Sequence, residues 1–191
     1  ILVSAGEMLM SFLRKSQAKL LPVDSEHNAL LQIFLSSGLE YNLSNQSYYK
    51  SRIKNITITA SGGPFIDYKI SDFKKITSAD AIKHPTWTMG KKISVDSSTM
   101  MNKGLEIIEA KVLFNLELQN INAIIHRQSK VHALVEFFDG TTIAHMSHPD
   151  MRIPISYALT FPQRLYVSSE NNFEYKDISF EEISNERYPC Y

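Results

Sequence analysis

Apolar positions recur along the chain at two periods, and each period picks out its own elements. Met8, Leu9, Phe12 and Leu13 fall at helical spacing, so residues 4–17 are predicted to form an amphipathic helix. Residues 20–23 read as a short strand and residues 27–34 as a second helix, while the polar, aperiodic residues 36–52 read as a loop. Residues 55–60 (NITITA) alternate Ile with Thr, the pattern of a strand with one buried face, and run into a Ser61-Gly62-Gly63-Pro64-Phe65 turn. Residues 71–92 are polar with scattered prolines and aromatics, the composition of an ordered but mobile loop. Met101, Leu105, Ile108 and Val112 mark one apolar stripe of a helix over residues 98–114. Strands are predicted at 123–125, 131–138 and 141–146, the last two joined by an Asp139-Gly140 hairpin turn, and a helix at 154–161. The acidic stretch 166–191 reads as an arm with one short strand and one short helix. This mixture predicts an α/β (α+β-like) fold, a mixed sheet with helices packed on one face.

Composition narrows the function classes. The 191 residues are 43% hydrophobic and 21% charged, ordinary for a globular protein with a real core. Twenty basic residues balance twenty acidic ones, and no basic run supplies a local field, so nucleic acid is not an expected partner. No apolar stretch approaches the roughly 20 residues that cross a bilayer, so no membrane partner is expected. The single cysteine, Cys190, excludes an internal disulfide and fits a cytoplasmic setting. The chain opens on Ile1 and stops at RYPCY, so both ends read as parts of something longer.

Three short stretches can carry chemistry, and each has a commonplace alternative. Asp24-Ser25-Glu26 places two carboxylates on one side of an extended segment, where they can meet one cation; it can equally cap the helix that follows. Asn102, Lys103 and Glu106 cluster on a helix face away from the Met101/Leu105/Ile108 stripe. There they can bind a phosphate and a metal together, or form only a solvated Lys–Glu pair. Ser61-Gly62-Gly63 after a strand can turn backbone N–H groups onto an anion, or be a plain turn. His126 and His132 lack the spacing and the cysteine partners of a zinc site.

Their order and wording decide what their chemistry leaves open. LLPVDSEHNA, SGGPF and HPTWTMGKKISVDSSTMMNKGLE, with IIHRQSKVH, FFDG, PDMRIPISYAL and RYPC further on, resemble the 1-deoxy-D-xylulose 5-phosphate reductoisomerase family of the non-mevalonate isoprenoid pathway. The resemblance covers the chain, least closely at 36–52 and 166–182. It implies conversion of 1-deoxy-D-xylulose 5-phosphate to 2-C-methyl-D-erythritol 4-phosphate, by skeletal rearrangement to an aldehyde and reduction by NADPH with Mg²⁺ or Mn²⁺. It implies metal ligation by Asp24, Glu26 and Glu106, the two glutamates serving catalysis directly; an all-carboxylate set suits a hard divalent ion. Glu109, one turn beyond Glu106, is expected to take no part. Ser25 is implied at the substrate, Ser61, Ser97, Asn102 and Lys103 at its phosphate, and His84 and Trp87 on a lid over residues 61–91. Met89 and Met151 are implied near the nicotinamide.

The resemblance further implies a homodimer. It divides the chain into a catalytic domain, 1–165, and an arm, 166–191, leading toward a C-terminal helical domain. A glycine-rich NADPH domain is expected upstream, since no G-x-G-x-x-G occurs in this sequence, and this stretch alone is expected to be inactive. Arg127 stands where the family usually has proline, with a local effect on strand packing or subunit contact expected. The competing functional readings are a non-catalytic phosphosugar-binding module and a structural domain with a disused pocket. Retention of all three motifs argues against the disused pocket.

Overall fold

In the computed structural model, residues 1–40, 47–83, 90–168, 172–189 and 191 are described, and all that follows concerns them. Four strands form one mixed sheet in the order β2-β1-β3-β4. Strand β1 (Ile53–Ala60) runs parallel to β2 (Ile121–Ile125) and antiparallel to β3 (Val131–Phe137), which pairs antiparallel with β4 (Thr142–Met146). The β3–β4 link is the predicted hairpin, with Gly140 at φ 87° where a side chain is disfavoured.

The alternation of β1 fixes its register. Ile56 and Ile58 lie beside Ile121 and Ala123 on one flank and Val135 and Ala133 on the other, so all six share one face. That face is covered by α2 (Ser25–Ser36), packed on β3 and β4, and by α6 (Met101–Phe114), packed on β2. The core between them holds Leu30, Phe34, Tyr49, Leu113 and Phe114, with the Phe34 and Phe114 rings edge to face at 5.0 Å. Helix α1 (Leu2–Arg14) lies outside α6, and Gly6 lets it come close enough that an added Cβ would sit 2.7 Å from Val112.

Several expectations are corrected. Residues 20–23 pair with no strand: Pro22 has no N–H to offer a ladder, and its carbonyl accepts from the Asn28 side chain instead. The predicted loop 36–52 contains the short helix α3 (Ser47–Lys50). The predicted loop 71–92 contains a 3₁₀ turn (Ile70–Lys75) and the short helix α4 (Ser78–Ala81), opened by a Thr77–Asp80 capping box. The helix expected over 98–114 is α6, which begins only after Met100, whose φ of 61° separates it from a further helix that was not expected, α5 (Lys91–Ser98). Helix α5 escapes apolar periodicity because its buried residues are Ser94 and Ser98, whose hydroxyls bond back to Gly90 and Val95 carbonyls. The Met101/Leu105/Ile108/Val112 stripe is not the core face of α6; Lys103, Glu106, Ala110, Leu113 and Phe114 are. The helix predicted at 154–161 is α7 (Arg152–Thr160). Among the described residues of the arm there is no helix and no strand ladder, but an antiparallel bridge between Glu181 and Ile125 and a hydrogen-bonded turn from Ser184 to Tyr188.

Candidate metal and substrate site

The carboxyl ends of the parallel pair β1 and β2 open on the same side as the amino ends of α2 and α6, the position where parallel strands leave a crevice. An open cavity of about 210 Å³ lies there. Asp24 is the N-cap of α2 and accepts from its own neighbour, Ser25 N, at 3.1 Å. Glu26 follows inside the first turn. The extended segment expected for this motif is therefore a helix start, so the capping reading holds, and it leaves both carboxylates close to Glu106. Glu106 arrives from the second turn of α6, and one carboxylate oxygen from each of Asp24, Glu26 and Glu106 lies within 4.8 Å of the other two.

Glu106 is 3% exposed and Lys103 is 4% exposed, so the alternative of a solvated Lys–Glu pair does not hold. The Lys103 ammonium lies between the carboxylates: Nζ donates to Glu26 Oε1 at 2.7 Å, to Thr59 O at 2.5 Å and to Glu106 Oε2. Burial disfavours that charge, but Glu106 and then Glu26 overcome it and raise the lysine pKa. Burial, then the Glu26 charge, holds Glu106 well above the usual carboxylate range. Asn102 Nδ2 donates to the second Glu106 oxygen.

Sequence reasoning missed His27. It is 1% exposed, its Nε2 lies 2.9 Å from Glu106 O, and its Nδ1 faces Asp24 Oδ2 at 3.6 Å. That separation is an ion-pair contact and is too long for a hydrogen bond. Burial works against the imidazolium, yet the adjoining Asp24 carboxylate and then Glu106 raise its pKa to about 9. Reciprocally, burial pushes Asp24 up, but His27 and then Lys103 outweigh it and leave the carboxyl below its ordinary value. The three acids thus do not face one another unopposed. Glu109 is also nearer than expected: with Asp24 and His27 it forms a second group whose ligand atoms lie within 4.8 Å.

The remaining expected residues divide cleanly. Ser25, Ser61, Ser97, Asn102, Lys103 and Met151 all line the cavity, joined by Gly62, Thr59, Ser129 and His132. His84, Trp87 and Met89 lie outside the described residues. Gly63 has φ 72° and no room for a side chain, since a Cβ there would sit 2.5 Å from Ser97 O; this approach brings the Ser61 turn against the end of α5. Arg127, the departure from proline, joins Glu181 through Nε and Nη2 and Asp67 through Nη1 at 2.6 Å, a local structural role away from the carboxylates.

Known proteins are similar to this chain along nearly its whole length. The family model described as "1-deoxy-D-xylulose 5-phosphate reductoisomerase C-terminal domain" matches residues 20–114, and that described as "DXP reductoisomerase C-terminal domain" matches residues 146–191. The 1-deoxy-D-xylulose 5-phosphate reductoisomerases of Chloroherpeton thalassium and Shewanella baltica are each 46% identical over 99% of this chain. The chain spans about half the length of these relatives, 46% and 48%. A crystal structure of a DOX-P reductoisomerase with NADPH, fosmidomycin and magnesium superposes with a TM-score of 0.90 at 38% identity, over 99% of this chain and 47% of its own. The Zymomonas mobilis enzyme with NADPH gives 0.83 at 39%, over 99% and 46%.

Proposed function

The chain belongs to the 1-deoxy-D-xylulose 5-phosphate reductoisomerase family, and from that premise we propose that it is the metal- and substrate-binding part of such an enzyme. The substrate is then 1-deoxy-D-xylulose 5-phosphate, rearranged and reduced with NADPH to 2-C-methyl-D-erythritol 4-phosphate. The observation that carries this reading is the convergence of Asp24, Glu26 and Glu106 beside a cavity lined by hydroxyls and an amide. Three oxygen ligands and no soft one fit Mg²⁺ or Mn²⁺. Bound there, the ion would polarise the substrate carbonyl and adjacent hydroxyl.

The protein's own side chains divide the rest of the work. Asp24, Glu26 and Glu106 hold the cation, and Ser25 bonds the sugar hydroxyls. Ser61, Ser97 and Asn102 donate to the phosphate, a dianion that needs several donors. Lys103, which the resemblance assigns to the phosphate, is held by Glu26 and Glu106; we infer that it neutralises these carboxylates and adds positive potential behind the phosphate. His27 fixes Asp24 and the Glu106 backbone relative to each other. Met151, at the cavity wall, is the described candidate for the nicotinamide side. We further read residues 1–165 as the catalytic unit, the arm as its connection, the assembly as a homodimer and the setting as cytoplasmic. Among the described residues no helix is long and apolar enough to cross a membrane.

Calorimetric titration of Mn²⁺, then of fosmidomycin, tests the site. Fosmidomycin is expected to bind only with the metal present. Glu106→Gln is expected to weaken Mn²⁺ binding at least about tenfold, the effect expected of a perturbed metal site. Glu109 is no neutral control, because it adjoins Asp24; Glu117, exposed and paired to Lys50, is. Unchanged Mn²⁺ binding by Glu106→Gln, or equal fosmidomycin binding without metal, refutes the reading.

A further inference from the structure

The C-terminal arm converges on one loop. Glu181 exchanges backbone hydrogen bonds with Ile125, both at 2.9 Å, which ties the arm to the end of β2. From that anchor Arg187 reaches across, and its Nη1 lies 3.1, 2.8 and 2.6 Å from the carbonyl oxygens of Phe65, Ile66 and Tyr68. Tyr188, 3% exposed among Ala60, Met100 and Ile125, donates its hydroxyl to Gly62 O at 2.8 Å. All four acceptors belong to the segment directly after Ser61. That segment carries two consecutive glycines with positive φ, 87° and 72°, a pair whose shared peptide has few steric reasons to keep one orientation.

We propose that Tyr188, supported by Arg187, is a positioning residue for the phosphate end of the cavity. A trans peptide points its C=O and N–H in opposite directions. With Gly62 C=O turned to the Tyr188 hydroxyl, the N–H of the same peptide, on Gly63, turns the other way and donates to Ser61 Oγ at 3.3 Å. That bond takes one lone pair of the serine oxygen, and the hydroxyl hydrogen is thereby directed away from the amide. A three-link chain therefore runs from the arm to the serine: Tyr188 O–H, the Gly62–Gly63 peptide, Ser61 Oγ. Its far end lines the cavity, where Ser97 and Asn102 also lie. Arg187 acts on the same loop from behind, holding the carbonyls of Phe65, Ile66 and Tyr68 toward the arm and so restraining the loop in which the glycine peptide sits. The inference rests on the proposed role of Ser61 as a phosphate donor.

The competing explanation is that the Tyr188 hydroxyl merely satisfies its own burial while the ring fills a small core. Tyr188→Phe keeps the ring and removes only the link. Dissociation constants for fosmidomycin, inorganic phosphate and Mn²⁺ are measured for the unchanged protein, Tyr188→Phe, Ser61→Ala and the double variant. Tyr188→Phe is expected to weaken both anions about tenfold, the scale of one lost hydrogen bond, and to leave Mn²⁺ affinity unchanged. In the Ser61→Ala background the same change is expected to add nothing, because the chain has already lost its end. Anion binding by Tyr188→Phe equal to the unchanged protein, with Ser61→Ala weakened, overturns the inference and leaves the phosphate site standing. Fully additive losses, or an equal loss of Mn²⁺ affinity, also overturn it, since both mark general loosening. If Ser61→Ala itself binds both anions normally, the phosphate reading falls and takes the inference with it.

Discussion

Gly63 and Gly38 have nearly the same positive φ, 72° and 74°, and differ in their neighbours. An alanine at 38 meets nothing within 4 Å, whereas one at 63 meets a backbone oxygen at 2.5 Å. Gly38→Ala is expected to cost only the left-handed strain, about 1 kcal/mol. Gly63→Ala is expected to cost about 3 kcal/mol and to weaken fosmidomycin, because the clash is relieved only by moving the turn from α5. Urea unfolding of both variants measures the difference, and equal costs would refute a tight approach. Gly63 was legible as part of S-G-G, although the sequence alone could not say which glycine lacks room. Lys103 and Glu106 were placed away from the Met101/Leu105/Ile108 stripe, as they are, but that side was read as facing outward, because local pattern assigns charged residues to solvent. Their burial depends on Glu26, 77 residues from Lys103 along the chain, and such a partner leaves no local period. His27 has the same cause for being missed, since its acceptor Glu106 is 79 residues away.

At the scale of elements, sequence pattern succeeded where apolar residues alternate or recur and failed where serine and threonine do the packing. Strand β1 was read from NITITA, and α2 from its apolar run. Helix α5, whose buried serines bond back to the backbone, drew no helix reading before residue 98, and the Thr77–Asp80 turn, closed by the Asp80 carboxylate on Thr77 N, fell within the stretch read as loop. The sheet carries the element-scale prediction. Its face away from the helices presents Asn55, Thr57, Asn122, Leu134 and Glu136 along a shallow groove, with Phe180 at its side. A homodimer formed through this face is expected to sediment as two chains, and Leu134→Asp to shift it to one, because a carboxylate there would be desolvated at the contact. A monomeric unchanged protein in sedimentation velocity, at concentrations up to about 100 μM, rejects that assembly; Kd values above this scale mark weak association.

For the whole molecule, half the length of the relatives sets the expectation. This sequence holds no G-x-G-x-x-G, and a dinucleotide pyrophosphate is ordinarily cradled by such a turn at a helix start. The 191-residue chain is therefore expected to bind Mn²⁺ and fosmidomycin yet to oxidise no NADPH with 1-deoxy-D-xylulose 5-phosphate. Absorbance at the reduced-nicotinamide band follows this directly, and measurable turnover by the pure chain would show that the binding and reducing functions are not divided as proposed.

Arg127 has an evolutionary corollary. Its guanidinium is the common partner of Asp67, in the loop after the Ser61 turn, and of Glu181, in the arm. Proline, which the resemblance gives as usual at this position, can hold neither acid. A lineage that acquired the arginine gained a reason to keep both carboxylates, and one that loses it is left with two acids and no shared cation. These three positions, 60 and 54 residues apart from Arg127 in sequence, are thus expected to drift as a set across relatives, a correlated signature that an alignment can display.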